Sequence, residues 1–407
     1  MRAVMRNKIS DEQFVLLRLL RQALKQEAAE RDKELSGLSY EQWGKILKLA
    51  KKHAVLPLLY ETLKREPAFP VELFEHVQSL SRKTVLQNYK LLYLTNYITK
   101  MLERASVSVL VLKGAATAEL YPYPELRKSG DIDLLIPKRV ELSIACAMLK
   151  KQGYRVKEEQ HANHHIVFET TEGIEIELHT MLAEPFDNSK INRYLKELSA
   201  EYLSHREEKD ILGSTLWVPE AAYHAYYLLI HMLQHFLGSG FGLKLLCDWV
   251  VFWNRECGEE VQKKFLQLVR DSELQYFCRC VTELCISLLG LDEARVKFLR
   301  AEAAAEEDVV ELLLEILEAE EFGKSDRSRM VILRGTAPTD YFREFHHQMK
   351  LNYPRYKNDI LLWPILWILT LGRFLYNNRK LRRTSLWSVL KKTHSRSKGR
   401  GHAKYFR

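Results

Sequence analysis

"RKSGDIDLLIP", Arg127 to Pro137, places two aspartates one residue apart inside a run otherwise built like a β-strand. Successive strand side chains point to opposite faces, so Ile132, Leu134 and Ile136 share one face and Asp131, Asp133 and Leu135 share the other. The two carboxylates therefore stand side by side, about 7 Å apart at Cα. From there their oxygens can converge on one or two hard cations, which in two-metal sites lie about 3.5–4 Å apart. Like charges held so close require a counterion. Magnesium with a polyphosphate supplies one, because Mg²⁺ prefers oxygen ligands, keeps several waters and is usually held by one or two carboxylates plus substrate phosphates. A D-x-D pair is common on its own, and a solvated strand end with Gly130 opening a turn also accounts for it. The surrounding sequence decides.

Upstream, "VSVLVLKG" (Val107 to Gly114) is a β-branched run closed by glycine, followed by the short helical "AATAELY" and the turn signals of "YPYPE". Downstream, "RVELSIACAMLKKQG" has helical spacing, and "HHIVFETTEGIEIELHTML" reads as a hairpin turning near Glu172 and Gly173. In its second strand Ile174, Ile176 and Leu178 face one way while Glu175, Glu177 and His179 face the other. A third carboxylate is thereby available. Three acids on neighbouring strands are the donor set of two-metal nucleotidyl transfer; the alternative is an exposed strand face. His164 and His165 begin the first hairpin strand, where one of the two faces the acidic side. For a triphosphate, Lys113 offers a point charge, Gly114 a close backbone approach, and the helix after it free N–H groups. Arg127 and Lys128 lie within reach of the same anion. Each of these also has a structural reading: Gly114 as a turn glycine, Arg127 and Lys128 as solvated loop charges.

The 407-residue chain has ordinary globular apolar and charged fractions and is long enough for two or three domains. Its six cysteines are scattered without zinc or redox spacing, which fits reduced thiols in a cytoplasm. The N-terminal "MRAVMRNKISDEQFVLLRLLRQ" reads as an amphipathic helix, not a signal peptide. The net charge of +9 is concentrated at the other end, where Arg373 to Arg407 carries twelve Lys/Arg and no Asp or Glu. Before it, "ILLWPILWILTLG" (Ile360 to Gly372) is shorter than the roughly 20 apolar residues of a spanning helix and contains Pro364. No transmembrane segment is expected. An apolar aromatic segment before a basic run suits an anionic membrane surface or RNA, so a cytoplasmic protein with peripheral membrane attachment is one outcome. A helix packed on the body with a polar tail is the other.

The expected architecture is α+β, a small mixed-sheet core flanked by helical regions: a helical region over 1–104, the core over 105–183, a helical domain over 184–345, and the apolar segment with the basic tail over 346–407. Ser39 and Gln42 predict a capping box. His231 and His235 in "LLIHMLQHF" share a helix face at metal-ligand spacing, but the H-E-x-x-H pattern is absent, so packing or nucleotide stacking is the stronger reading. Asp248 and Lys244 either lean into the cleft or pair within the helices.

The series L-K-G at Leu112 to Gly114, R-x-x-G-D-I-D-L-L from Arg127, H-H-x-x-F from His164 and I-E-L-H from Ile176 resembles the uncharacterised bacterial nucleotidyltransferase family related to the DNA polymerase β-like superfamily. The resemblance runs over most of the chain, including "HMLQHFLGSGFGLKLLCDW". It implies a catalytic and metal-binding trio of Asp131, Asp133 and Glu177, and a nucleotide site at Lys113, Gly114, Arg127, Lys128 and Gly130. Two Mg²⁺ ions are implied, with an NTP, ATP included, as substrate. Lys113-Gly114 stands where the wider superfamily more often has Gly-Ser, so a phosphate-binding hydroxyl is missing. The expected activity is Mg-dependent transfer of an NMP from an NTP to an acceptor hydroxyl. Its alternatives are a catalytically inactive binding module on the same fold, or a toxin-like enzyme modifying RNA.

Overall fold

The computed structural model describes residues 1–25, 33–157, 165–184, 186, 189–237, 240–256, 258–300, 302–319, 342, 345–346, 349–350, 353, 356 and 359–377. His164, Cys257 and the basic tail from residue 378 lie outside them.

The N-terminal third is helical: α1 (Arg2–Arg6), α2 (Asp11–Lys25), α3 (Lys33–Ser36), α4 (Tyr40–Lys52), α5 (Tyr60–Lys64) and α6 (Val71–Arg104). Ser39 caps α4 through the expected box: its hydroxyl accepts from the Gln42 amide and the Gln42 side chain accepts from the Ser39 amide. At 34 residues, α6 is about 51 Å long and passes beneath the central sheet.

That sheet holds β1 (Leu110–Val111), β2 (Asp131–Leu135), β3 (Arg155–Val156), β4 (His165–Glu169) and β5 (Glu175–His179) in the order β1-β2-β5-β4-β3. The β2–β5 pair is parallel and the others antiparallel. α7 (Ala115–Ala118) and α8 (Arg139–Lys151) join the early strands. The strand read over 107–114 shrinks to a two-residue ladder, extended by the Leu112 amide donating to the Asp133 carbonyl. Gly114, at φ +70°, then turns the chain away.

The C-terminal part contains α9 (Ser189–Glu201), α10 (Ala221–Leu237), α11 (Leu243–Arg255), α12 (Glu259–Asp271), α13 (Gln275–Leu289), α14 (Glu306–Glu318) and α15 (Trp363–Asn377). It is not purely helical as expected. A hairpin of β6 (Arg206–Ile211) and β7 (Ser214–Pro219) interrupts it, and Ile211, Leu216 and Val218 pack into the apolar layer of the central sheet. In β6, "REEKDI", only Ile211 is apolar, and in β7 Leu216, Trp217 and Val218 follow one another, so neither strand shows the alternation that marks a half-buried strand.

Two apolar cores result. One joins α2, α4 and the start of α6 to α10–α14. The other lies between the sheet, the second half of α6 and α8. No helix among the described residues is long and apolar enough to cross a membrane.

Candidate active site

Strand alternation buries Ile132, Leu134, Ile176 and Leu178 and leaves the acidic faces of β2 and β5 together. The parallel register sets Asp131 opposite Glu175, Asp133 opposite Glu177 and Leu135 opposite His179. Slipping either strand by one residue would turn its carboxylates into the core, so apolar burial fixes the geometry of the acids.

Two cations are built into this face. Lys113 Nζ lies 3.3 Å from Asp131 Oδ2 and 3.2 Å from Asp133 Oδ2. His179 Nε2 lies 3.0 Å from Asp133 Oδ1 and 3.3 Å from Glu177 Oε2. Burial opposes the charge of both, but their carboxylate partners outweigh it: Lys113 is held well above its ordinary value and His179 is pushed up to about 9. Asp131 follows the same logic in reverse. Burial raises it, yet Lys113 and Lys244 bring it down to about 2. Asp133 is raised by its own burial and by the Asp131 charge. Glu177 is lowered because His179 overcomes the burial effect.

Asp133, Glu177 and His179 each offer one donor atom within 4.8 Å of the others. Asp131 stands outside that group, engaged by Lys113. Asp133 Oδ2 is buried and, although close to Lys113 Nζ, receives no hydrogen bond. A buried carboxylate oxygen with unused acceptor capacity beside a second carboxylate fits a divalent cation, which His179 could join as a ligand only on giving up its proton. His179 is the member that the sequence reading placed on this face but left out of the site; its alternation with Glu177 was the available signal.

The cleft encloses about 530 Å³. Beyond the acids it is lined by Tyr227, His231, Gln234 and His235 of α10 and by Lys244 of α11. Tyr227 stacks on His231 (centroids 5.7 Å, planes 24° apart), and His231 meets His235 edge to face at 4.5 Å. Burial lowers both imidazoles, His235 to about 4, so they face the cleft neutral. They do not join the acidic cluster as ligands.

The remaining expected residues separate. Gly114 and Gly130 line the cleft, Gly114 in the left-handed conformation. The helix after Gly114, from which free N–H groups were expected, is a single turn, α7. Arg127 lines the cleft but is not a free anion receptor. Its Nε and Nη2 donate to Asp248 Oδ1 and Oδ2 at 2.7 and 2.8 Å, and Nη1 donates to Ser129 at 3.1 Å. Tyr121 Oη donates to the same Asp248 at 2.6 Å. Asp248 is thus buried and paired, but with the loops before β2 and not within the helices as the alternative had it, while Lys244 does line the cleft. Lys128 lies outside the cleft, lining a separate groove with Lys51, Lys83 and Gln87. Asn88 of α6, absent from the sequence reading, brackets the loop before β2: Nδ2 donates to the carbonyls of Glu125 and Arg127, and Oδ1 accepts from the Ser129 amide. No local motif announces a contact spanning some forty residues.

A family profile described as "Uncharacterised nucleotidyltransferase" matches residues 39–290, from the start of the α4 cap to the end of α13. The chain belongs to this nucleotidyltransferase family. The match contains the acidic strands and the cleft-lining helices α10 and α11. Among solved structures, an antigenic nucleotidyltransferase-like protein from Paracoccidioides brasiliensis aligns with 53% of this chain and 95% of its own, at 15% identity and a TM-score of 0.30. No functionally curated protein matches the sequence.

Proposed function

We propose that this nucleotidyltransferase transfers an NMP from an NTP to an acceptor hydroxyl in a Mg²⁺-dependent reaction, with Asp131, Asp133 and Glu177 as the acidic trio. The supporting observation is the parallel β2–β5 register, which sets Asp133 beside Glu177, with Asp131 one alternation earlier and Lys113 against both aspartates. Asp133, Glu177 and Asp131 would hold the divalent ions, with His179 at their edge. Bound there, Mg²⁺ would supply charge neutralisation at the α-phosphate and a lower acceptor pKa. The chain's own groups do the rest. Lys113 exchanges its aspartate contacts for phosphate oxygens, and Gly114 lets the backbone approach the nucleotide. Tyr227, His231 and His235 offer a neutral ring surface for a base, and Lys244 adds positive charge to the cleft. Arg127 positions the loop before β2 through Asp248, replacing the direct phosphate contact first expected of it. In this reading residues 105–183 carry the chemistry, 1–104 and 184–345 frame it, and 346–407 address the enzyme.

A binding module without turnover is the second reading, favoured by Lys113 sitting against the two aspartates as a built-in cation. Incubation with each labelled NTP, Mg²⁺ and a cell extract separates the two. A labelled product with pyrophosphate release supports transfer, while NTP binding without either supports the module. The compartment in this reading is the cytoplasm, with the described cysteines kept as free thiols. For the C-terminal end we favour an anionic membrane surface. Ile360, Leu361, Ile365 and Ile368 are exposed on and just before α15, immediately ahead of the basic tail.

A further inference from the structure

The outer face of α6 carries Leu86, Tyr89, Tyr93, Tyr97, Lys100 and Arg104, spaced three or four residues apart and so aligned in one stripe about 27 Å long. The tyrosines are 48%, 72% and 42% exposed. Three aromatic rings in water on one helix stripe contribute nothing to either core. Successive rings stand about 6 Å apart along the axis. Tyr97 is also held in place, its Oη donating to Gln152 Oε1 at 3.0 Å.

The two ends of the stripe differ. At one end Tyr89 lines a cavity of about 40 Å³, separate from the cleft and too small for a nucleotide, that shares Gly114, Asp131 and Asp133 with it and so marks the side from which the acids are approached. At the other, Lys100 and Arg104 flank an open groove of about 450 Å³ shared with Tyr93, Tyr97 and Met148. Lys100 keeps a contact to Glu103, and the adjacent end of α8 adds exposed Lys150 and Lys151.

We propose that this face binds single-stranded nucleic acid, with bases stacked on Tyr93 and Tyr97, phosphates beside Lys100 and Arg104, and one end of the strand at the Tyr89 side of the catalytic cleft. Exposed aromatics beside cations are the platform that unpaired strands use, since every base offers a π-face and every linkage a negative charge. A duplex hides the first of these. A strand so placed also serves as acceptor, and this part rests on the transfer reading above. The oxygen of its terminal hydroxyl bonds to the α-phosphorus of the NTP, the bond from that phosphorus to pyrophosphate breaks, and the hydroxyl proton leaves to solvent.

The test is fluorescence anisotropy of the full chain with a labelled oligouridylate of about 20 nucleotides, longer than a site of roughly 4–16, and with its duplex, without NTP or divalent metal. The single strand should bind more tightly than the duplex. The Tyr93→Ala/Tyr97→Ala variant should bind it at least about tenfold more weakly, while Tyr93→Phe/Tyr97→Phe, which keeps the rings, should stay near wild type. Lys100→Gln/Arg104→Gln should flatten the log–log salt slope by about 1.4, or 0.7 per lost phosphate contact. All substituted side chains are surface ones, and melting curves check the fold. The proposal is overturned if the wild type fails to bind at low salt, if the alanine pair binds like wild type, if binding is lost only on removing the basic tail, or if the alanine pair instead dissociates a dimer. Pyrophosphate release by the wild type, with Asp133→Asn as the inactive control, tests the chemistry separately: strand binding by a wild-type chain without transferase activity upholds the surface and removes only its acceptor role.

Discussion

The Arg127–Asp248 pair offers the sharpest quantitative test of how the site is held. Both side chains are almost fully buried, joined by two N–H···O bonds at 2.7 and 2.8 Å, and Tyr121 donates to the same carboxylate. Asp248→Asn keeps the volume and removes the charge, leaving a buried guanidinium with no counterion. Breaking such a pair from one side costs about 3–5 kcal/mol, or roughly two to four decades in the folding equilibrium. That is a large share of a typical stability of about 5–15 kcal/mol. Replacing both partners, as in Arg127→Met/Asp248→Leu, removes the uncompensated charge and should recover most of the loss. The residue is about 1–3 kcal/mol for the Tyr121 hydroxyl left without its acceptor. Urea denaturation of the wild type, both single variants and the double variant closes the cycle. If Arg127 positions rather than binds, the double variant should also keep the KM for NTP near wild type even where kcat falls. A loss below about 1 kcal/mol in Asp248→Asn, or a KM that rises with the removal of Arg127 in a stable double variant, refutes the reasoning.

Asp131→Asn and Asp133→Asn should each abolish NTP turnover, measured as pyrophosphate release. Their metal-free stabilities should diverge, because Asp133 is buried against both Lys113 and His179 whereas Asp131 is partly exposed; equal melting temperatures would contradict this. Glu177→Gln should cost far more activity than Glu175→Gln, since Glu175 pairs with Lys157 and faces Asp131 across the ladder while Glu177 faces Asp133 and touches His179. Equal kcat losses would count against the assigned register. His53, buried and depressed to about 4 mainly by desolvation, takes up a proton more readily in the unfolded chain. Its contribution is therefore intact above about pH 6.5 and is lost as pH falls toward 4, by up to roughly 3 kcal/mol. Melting temperature against pH should flatten in His53→Gln over that window. Truncation after Tyr376 should leave turnover of a small soluble acceptor unchanged and weaken co-sedimentation with anionic vesicles, at about 1 kcal/mol per basic contact removed; unchanged vesicle binding defeats the membrane reading.

What the sequence disclosed was local and periodic. Period two put Asp131 with Asp133 and Glu175 with Glu177 and His179, and glycine placed the turn after Lys113. The Ser39–Gln42 box is a three-residue signal. What it concealed was long-range. Asp248 claims Arg127 from 121 residues away, and Lys128 turns to a different groove although it is next in sequence. Neighbouring charges need not share a destination when one is drawn into a core and the other stays at a rim. Lys113 and Gly114 were legible as a charge at a turn, but the closeness of the lysine to both aspartates depends on β1 meeting β2 antiparallel. The β6–β7 hairpin went unseen because neither of its strands alternates apolar with polar residues.

The larger apolar core has a bearing on how the molecule comes into being. α2 packs on α4 but also on α11 and α13, and some 250 residues of chain separate α2 from α13. At roughly 5–20 residues per second of synthesis, the first long helix emerges from the ribosome tens of seconds before its final neighbour exists. Throughout that interval Leu16, Leu17, Leu19 and Leu20, all buried in the finished protein, lack part of their cover. A nascent chain built this way is a natural client for holding chaperones, and ribosome-arrested chains ending before α13 should be far more protease-sensitive in α2 than chains that include it.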